Sequence, residues 1–305
     1  MLKTLIILHD NPDWLEPIKK SLNKENINYQ DIVLGNGLLD IASKPEDAVY
    51  FNRVSPSSHL RGKPDSIEHA ISYLGHLNAH NKKVINNLPT QYLELNKFAQ
   101  YLALEKAGIK IPRTLAALGK ESILAAAKKI SFPLILKPNR GGSGAGVEIF
   151  YNMAEIKQYL KQNIAYSRDG ITLIQQYIAP KGGVIRRAEF IGGEFVYVVK
   201  IQVSDDFNLC PADSCKVSTS FCPIGESKEH KFTIEKDFKV ELLEKYLNFI
   251  KQEQYDIAGI EFVIGEDDVI YTYDVNANTN YNSEAEVIAG ISAYDKLAKY
   301  LLTQL

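Results

Sequence analysis

The stretch from Lys137 to Val147, Lys-Pro-Asn-Arg-Gly-Gly-Ser-Gly-Ala-Gly-Val, constrains this chain more than any other feature. An apolar run over 132–136 ends on Lys137, and four glycines follow within positions 141–146. Side chains would hold a ligand away from the main chain. Gly141, Gly142, Gly144 and Gly146, with Ser143 among them, therefore suit a loop that turns successive backbone N–H groups toward a polyphosphate, while Lys137 adds a point charge from the strand end. Two familiar phosphate loops are excluded, because no Gly-Lys-Ser/Thr closes the run and Val147 opens a strand where a helix would be needed. Taken alone, the same residues also fit a flexible hairpin loop with a surface lysine.

The order of elements around this stretch predicts the fold class. An apolar strand over 2–8, a helix opening at Asn11-Pro12-Asp13 and running to Lys24, and strands at 32–34 and 48–51 make a β-α-β beginning. A helix over 65–79 completes a small α/β domain, residues 1–88. A helix over 92–107, stopped by Gly108, leads into a second unit over 89–180 that alternates strands (134–137, 147–150, 172–178) with helices (121–129, 153–162). The third unit, 181–305, opens with strands 184–190 and 194–203 around a Gly192-Gly193 hairpin signal, continues with a helix over 238–252 and strands 257–264 and 269–275, and ends on a helix over 293–302. The expectation is α/β followed by α+β.

Composition removes several function classes. Lys plus Arg number 35 against 37 Asp plus Glu, a net charge of −2, so no global basic field exists to hold nucleic acid or an anionic membrane. Apolar runs fall far short of the roughly 20 residues of a membrane span, and the first meets His9 and Asp10 too early for a signal peptide. A cytoplasmic protein is expected. Three cysteines argue against a disulfide-stapled domain. The pair in Cys210-Pro-Ala-Asp213-Ser-Cys215, even with Cys222, supplies three ligands where zinc takes four, so this segment reads as a turn or a substrate-side loop.

A second constellation lies near the C-terminus. Asp274 and Asn276 are two apart on a predicted strand and so share a face, and Glu261 joins them if strands 257–264 and 269–275 pair. Two carboxylates and an amide oxygen suit Mg²⁺, which keeps waters and takes further oxygens from substrate phosphates. Solvent-facing polar positions are the bland alternative. Residues 52–62 place Arg53, Ser57 and Arg61 on a loop after a strand, where α/β sheets bind ligands; a solvated polar loop would look the same.

Together these segments resemble the ATP-grasp superfamily, and within it the RimK-like and glutathione-synthetase-like carboxylate-amine ligases. The resemblance implies a small pre-ATP-grasp domain followed by a two-part ATP-grasp fold. It implies that Lys97 and Lys137 are nucleotide lysines, that Gly141–Gly146 cover the phosphates, and that Gln175, Gln176, Tyr177 and Ile178 form the hinge that receives adenine. Arg186 and Lys200 become the catalytic cations; Glu261, Asp274 and Asn276 the metal ligands; and Arg53, Ser57, Arg61 and Asn278 substrate residues. The cofactors implied are ATP and Mg²⁺, with Mn²⁺ as a substitute. The partners are a small carboxylate and an amine, the latter extending to a peptide or protein terminus, in a homodimer or tetramer. The chain departs from the family at Asp274 and Gln176, where Glu is usual, and at Val184, where Asp is common. The implied reaction passes through an acyl phosphate to ADP and phosphate. Rival readings are a non-catalytic ATP-binding module and an oxidoreductase, the latter weakened by the lack of glycines in 8–12.

Overall fold

Leu5, Ile6, Ile7 and Leu8 are each at most 1% exposed, a continuous apolar run of the kind that sits in a parallel sheet covered on both faces. In the computed structural model, which describes residues 3–162, 167–202, 232–236 and 238–305, they lie at the centre of a four-stranded parallel sheet. Its strands are β1 (Thr4–His9), β2 (Tyr29–Val33), β3 (Ala48–Arg53) and β4 (Lys83–Ile85), in the order β2-β1-β3-β4. Alternation within β1 divides its side chains. Leu5 and Ile7 pack with Ile18 and Leu22 of α1 (Glu16–Lys24), and Ile6 and Leu8 with Ile67, Ala70 and Leu74 of α2 (Ser66–Ala79). Each such side chain contributes about 1.5–3 kcal/mol by leaving water.

Two helices follow where the sequence predicts one. The segment divides into α3 (Leu88–Leu95) and α4 (Lys97–Lys106) at Asn96, whose φ of −133° and ψ of 87° leave the helical region. The cause is local: Asn96 Oδ1 accepts from Ala99 N–H as the cap of α4, a bond that competes with helix continuation. Lys97 is thereby the first residue of a new helix.

A second sheet, all antiparallel, has the order β5-β8-β6-β7, from β5 (Thr114–Leu118), β6 (Leu134–Pro138), β7 (Glu148–Phe150) and β8 (Ile171–Gln176). Helices α5 (Lys120–Ala127) and α6 (Met153–Tyr159) cover it through Ile123, Ala127 and Ile156. The third sheet, also antiparallel, has the order β11-β10-β9-β12-β13. Its strands are β9 (Pro180–Ile191), β10 (Glu194–Gln202), β11 (Phe232–Glu235), β12 (Ile257–Gly265) and β13 (Ile270–Asn276). Between β9 and β10, Gly192 and Gly193 take φ of 62° and 76°, the left-handed pair that a two-residue hairpin turn requires. Helix α7 (Val240–Gln252) packs Tyr246, Phe249 and Ile250 on one face against Ala188, Phe190, Ile260 and Phe262. The chain closes with α8 (Ser283–Ala289) and α9 (Ala293–Gln304), whose Leu297 and Leu301 join the core around β1. Sequence reading misses β4, β11 and α8; each has only three, four or seven residues, too few to display a period. The Cys210–Cys215 segment lies outside the described residues.

Candidate active site

The second and third sheets face one another across a cleft of about 920 Å³, its open mouth included. One end is apolar, lined by Pro112, Ile135, Ile178, Ile185 and Val263. Strand β8 ends at Gln176, so the backbone of Tyr177 and Ile178 borders this end beyond the ladder. Gln175 is held by its Nε2–H bond to Thr114 Oγ1 at 2.8 Å. The other end carries Lys97, Lys137, Glu261, Asp274 and the loop 141–145.

Lys137 is 7% exposed and sits near the end of β6; its ammonium donates to the Tyr101 hydroxyl and lies 3.5 Å from the Tyr273 carbonyl. Burial, with the nearby Lys97 charge adding to it, pushes its pKa down to about 7. No carboxylate pairs with it among the described residues. Lys97, at the start of α4, forms an ion pair with Asp274. Burial lowers the Lys97 pKa and the Asp274 charge raises it, the net direction being upward. Two lysines from two elements thus reach one cleft, one paired and one held by neutral oxygens.

The acidic group comes from the β12–β13 ladder, in which Glu261 is opposite Asp274 and Gly259 opposite Asn276. Asn276 Nδ2 donates to Glu261 Oε1 at 3.2 Å. A register shift follows Glu261, so Tyr273 enters the cleft lining beside Asp274. Glu261, Asp274 and Asn276 are hard oxygen donors on one sheet face, and the Lys97 ammonium already rests against Asp274 there; this chemistry fits Mg²⁺. Behind them Glu94 accepts from Ala277 N–H, and burial raises its carboxyl pKa to about 7.

The strand arginine differs from expectation. Arg187, not Arg186, is opposite Glu261 on β9, and directly opposite residues project from the same face. Arg187 is 4% exposed, donates through Nε to Glu189 and through Nη2 to the Asn280 carbonyl at 2.7 Å. Gly259 leaves the room this requires, since a Cβ there would lie 3.1 Å from both Arg187 Cδ and Glu189 Oε2. Arg186 is opposite Phe262 and Lys200, on the α7 face, and both cations reach Glu235. Lys200 accordingly leaves the site with Arg186. The missed signal is the spacing of Arg187 and Glu189, a buried charge pair two residues apart, beside the apolar face of Ala188 and Phe190.

The glycine loop reaches across to the first sheet. Ser143, Gly144 and Gly146 have φ of 56°, 69° and 74°, and a Cβ on Gly142 would stand 3.2 Å from Ser57 Cβ. Ser57 Oγ accepts from Arg61 Nη1 at 2.9 Å, and Arg61 also pairs with the fully buried Asp10. Arg53 donates from Nη1 to the Thr279 carbonyl and from Nη2 to Asn280 Oδ1, both at 2.9 Å. Asn278 Nδ2 returns a bond to the Arg53 carbonyl at 2.7 Å. Arg53, Ser57, Arg61 and Asn278 therefore meet where the β3 loop, the glycine loop and the segment after β13 converge.

Residues 95–217 match the RimK-like ATP-grasp domain family. Over 145 residues the chain is 30% identical to a D-alanine–D-alanine ligase of Nitrosospira multiformis, a match covering 47% of this chain and 46% of that ligase. The chain thus spans about half the length of the curated relatives it matches. A RimK domain ATP-grasp protein from Sphaerobacter thermophilus has a TM-score of 0.71 at 16% identity, covering 97% of this chain and 98% of that one. The ATP-grasp ligase PsnB, complexed with a phosphomimetic variant of its minimal precursor, Mg and ADP, has a TM-score of 0.66 at 12% identity, covering 100% and 99%. The fold is that of the ATP-grasp ligases.

Proposed function

We propose that this chain, with a RimK-like ATP-grasp domain over residues 95–217, is an ATP- and Mg²⁺-dependent ligase that joins a carboxylate to an amine. The carboxylate attacks the γ-phosphate, ADP leaves, and the amine displaces phosphate from the acyl phosphate. One observation carries the reading: an apolar slot and a cluster of Lys97, Lys137, Glu261 and Asp274 occupy opposite ends of one cleft, with Arg187 of β9 opposite Glu261 and Asn276 bonded to Glu261. ATP has the same polarity, an apolar base at one end and charge at the other.

In this reading the backbone of Tyr177 and Ile178 receives adenine between Ile135, Ile185 and Val263. Lys137 then gains the anionic partner that its neutral neighbours, Tyr101 and the Tyr273 carbonyl, do not supply. Glu261, Asp274 and Asn276 hold Mg²⁺, which when bound offsets charge on the terminal phosphates. Lys97 neutralises Asp274 beside it. Arg187, fixed by Glu189 and the Asn280 carbonyl, presents a preset positive charge to the reacting centre, so no reorganisation is required when negative charge develops. The loop 141–146 shields that centre from water. No side-chain nucleophile takes part. The D-alanine–D-alanine ligase among the relatives and the precursor bound to PsnB support an amino acid or a peptide as the amine. No helix among the described residues is long and apolar enough to cross a membrane, and a reaction that consumes ATP suits the cytoplasm.

An ADP-release screen across amino-acid and peptide pairs tests the proposal. ADP and phosphate should appear in step with product, and hydroxylamine should trap the acyl phosphate as a hydroxamate. AMP with pyrophosphate would overturn it and move the roles of Lys137 and Glu261 to the α-phosphate.

A further inference from the structure

Strand β13 carries Asp274 and Asn276 and is the last strand of the third sheet among the described residues, so one of its edges has no strand beside it. Buried backbone N–H and C=O groups need partners where a ladder ends. Along this edge most of them are side chains of α3 and α4. Tyr101 Oη donates to the Tyr273 carbonyl at 2.7 Å, and Glu94 accepts from Ala277 N–H. Thr272 N–H finds a backbone group, the Lys110 carbonyl at 2.9 Å.

Val275 lies between these contacts, and one side chain serves both of its backbone groups. Gln100 Oε1 accepts from Val275 N–H at 2.9 Å, while its Nε2 donates to the Val275 carbonyl at 2.8 Å. A primary amide offers an acceptor and a donor side by side, as the edge of a peptide unit does, so Gln100 stands where the next strand would. The residue is 1% exposed, and a further Nε2 bond of 3.3 Å to the Leu93 carbonyl ties its amide to α3. An apolar residue of the same size would cover the edge and leave two buried backbone groups unpaired. Position decides what this amide does. Val275 packs with Leu104 and Ile260 in the core, and strand alternation sends its neighbours Asp274 and Asn276 together to the opposite face. Gln100 follows Lys97 by three residues, which puts both on one side of α4, and Lys97 is the ion-pair partner of Asp274. Helix α4 thus grips β13 at two successive residues, by charge at 274 and by amide at 275.

We propose that Gln100 is a positioning residue for the metal site: by pairing with the Val275 backbone it holds Asp274 and Asn276 at the spacing and direction that a divalent cation needs. The assignment rests on the ligase reading for the cation itself. Residues that orient metal ligands from behind typically cost about 10- to 100-fold in metal affinity when replaced. Loss of the amide should therefore weaken the cation and spare the nucleotide, because Lys137 and the loop 141–146 extend from β6, to which no hydrogen bond of Gln100 runs.

Mn²⁺ serves as the probe, since its free aqueous ion is counted directly by electron paramagnetic resonance. The full chain is titrated with Mn²⁺ in the presence of a non-hydrolysable ATP analogue, and analogue binding is measured separately without metal. Hydrogen exchange of the segment 270–278 is followed by mass spectrometry. Gln100→Met, which keeps the length and removes donor and acceptor, should weaken Mn²⁺ by about tenfold or more and speed exchange in the segment, with metal-free analogue affinity held within about threefold. Gln100→Glu keeps an acceptor for Val275 N–H, so it should fall between Gln100→Met and the unaltered chain, and it carries the test if Gln100→Met does not fold. Faster exchange with unchanged Mn²⁺ affinity would make Gln100 only a cover for the strand edge and overturn the proposal. Equal weakening of Mn²⁺ and of the metal-free analogue would also overturn it, as a general loosening of the cleft. Failure of the unaltered chain to bind Mn²⁺ beside the analogue would remove the metal site and the proposal with it. The expected Mn²⁺ losses without ADP release from any acid and amine pair would instead count against the ligase reading alone.

Discussion

Arg186 and Arg187 are neighbours on β9, yet they belong to different parts of the molecule. Arg187 is buried between Glu189, the Asn280 carbonyl and the Glu261 position of the ladder, on the cleft face. Arg186 is on the α7 face with Lys200, and both share the partly exposed Glu235. A buried guanidinium held by a buried carboxylate has one orientation, whereas a partly exposed trio around one carboxylate is screened by water and contributes little. Composition along the strand is the same in both places. The pairing partner makes the difference.

The sharpest way to break this contrast is a paired substitution. Arg187→Lys should lower turnover by about 100-fold, the scale on which losing a preset charge stabiliser acts. Arg186→Lys should stay within about twofold, as exposed ion pairs do. Melting temperatures of both variants show whether the Glu189 contact is kept. If Arg186→Lys were the damaging change, the assignment of the two faces would be reversed.

Next in size is Lys137→Met, which removes the one charged side chain at the strand end and keeps its bulk. A charge-assisted contact is worth about 1.5–3 kcal/mol, so ATP affinity should fall by about 10- to 150-fold while the melting temperature holds or rises. Calorimetric titration with the ATP analogue measures it, and unaltered affinity would separate the glycine loop from the nucleotide.

A smaller effect, about tenfold, is expected in the Mg²⁺ concentration giving half-maximal rate for Glu261→Gln and for Asp274→Asn, since each removes one negative oxygen donor. Asp274→Asn also frees the Lys97 ammonium from its ion pair, so affinity for the ATP analogue without metal should rise more than in Glu261→Gln. Magnesium dependence unchanged in both variants would place the ion elsewhere.

The smallest expected effect concerns protons. With a pKa near 7, Lys137 is largely neutral at pH 8 in the nucleotide-free protein, and an arriving phosphate recharges it. Binding of the ATP analogue at pH 8 should therefore take up a fraction of a proton, read from its heat in buffers of different ionisation enthalpy, and affinity should decline as pH rises above 7. Stability follows the opposite course. The unfolded chain holds this proton up to the ordinary value of 10.5 and the folded chain releases it near 7, so this group's share of stability rises from pH 7 to 10.5. Lys137→Met should abolish both dependences.

Several residues that line the cleft could be named in advance because their signals are local. A lysine ending an apolar strand, the run of glycines after it, and Asp274 with Asn276 two residues on all rest on neighbours along the chain. The two-residue hairpin at Gly192-Gly193 belongs to the same class, its positive φ angles being a property of those residues. Asn96 marks the boundary of that legibility: it reads as a tolerable helix residue, and only its bond to Ala99 N–H reveals two helices, with Lys97 opening the second.

The sequence by itself determined the order of the longer elements, the glycine loop after Lys137 and the acidic pair of strands, since each depends on alternation or backbone freedom within a few residues. Only the tertiary structure decided which arginine faces the cleft. A strand has two faces, a shift of one residue exchanges them, and the choice depends on pairing with β12, about seventy residues farther along the chain. It alone also brought Arg53 to Asn280, 227 residues away in sequence. Nothing near Arg53 along the chain indicates that its guanidinium is buried without a carboxylate partner among the described residues, because burial and charge balance are properties of the whole fold.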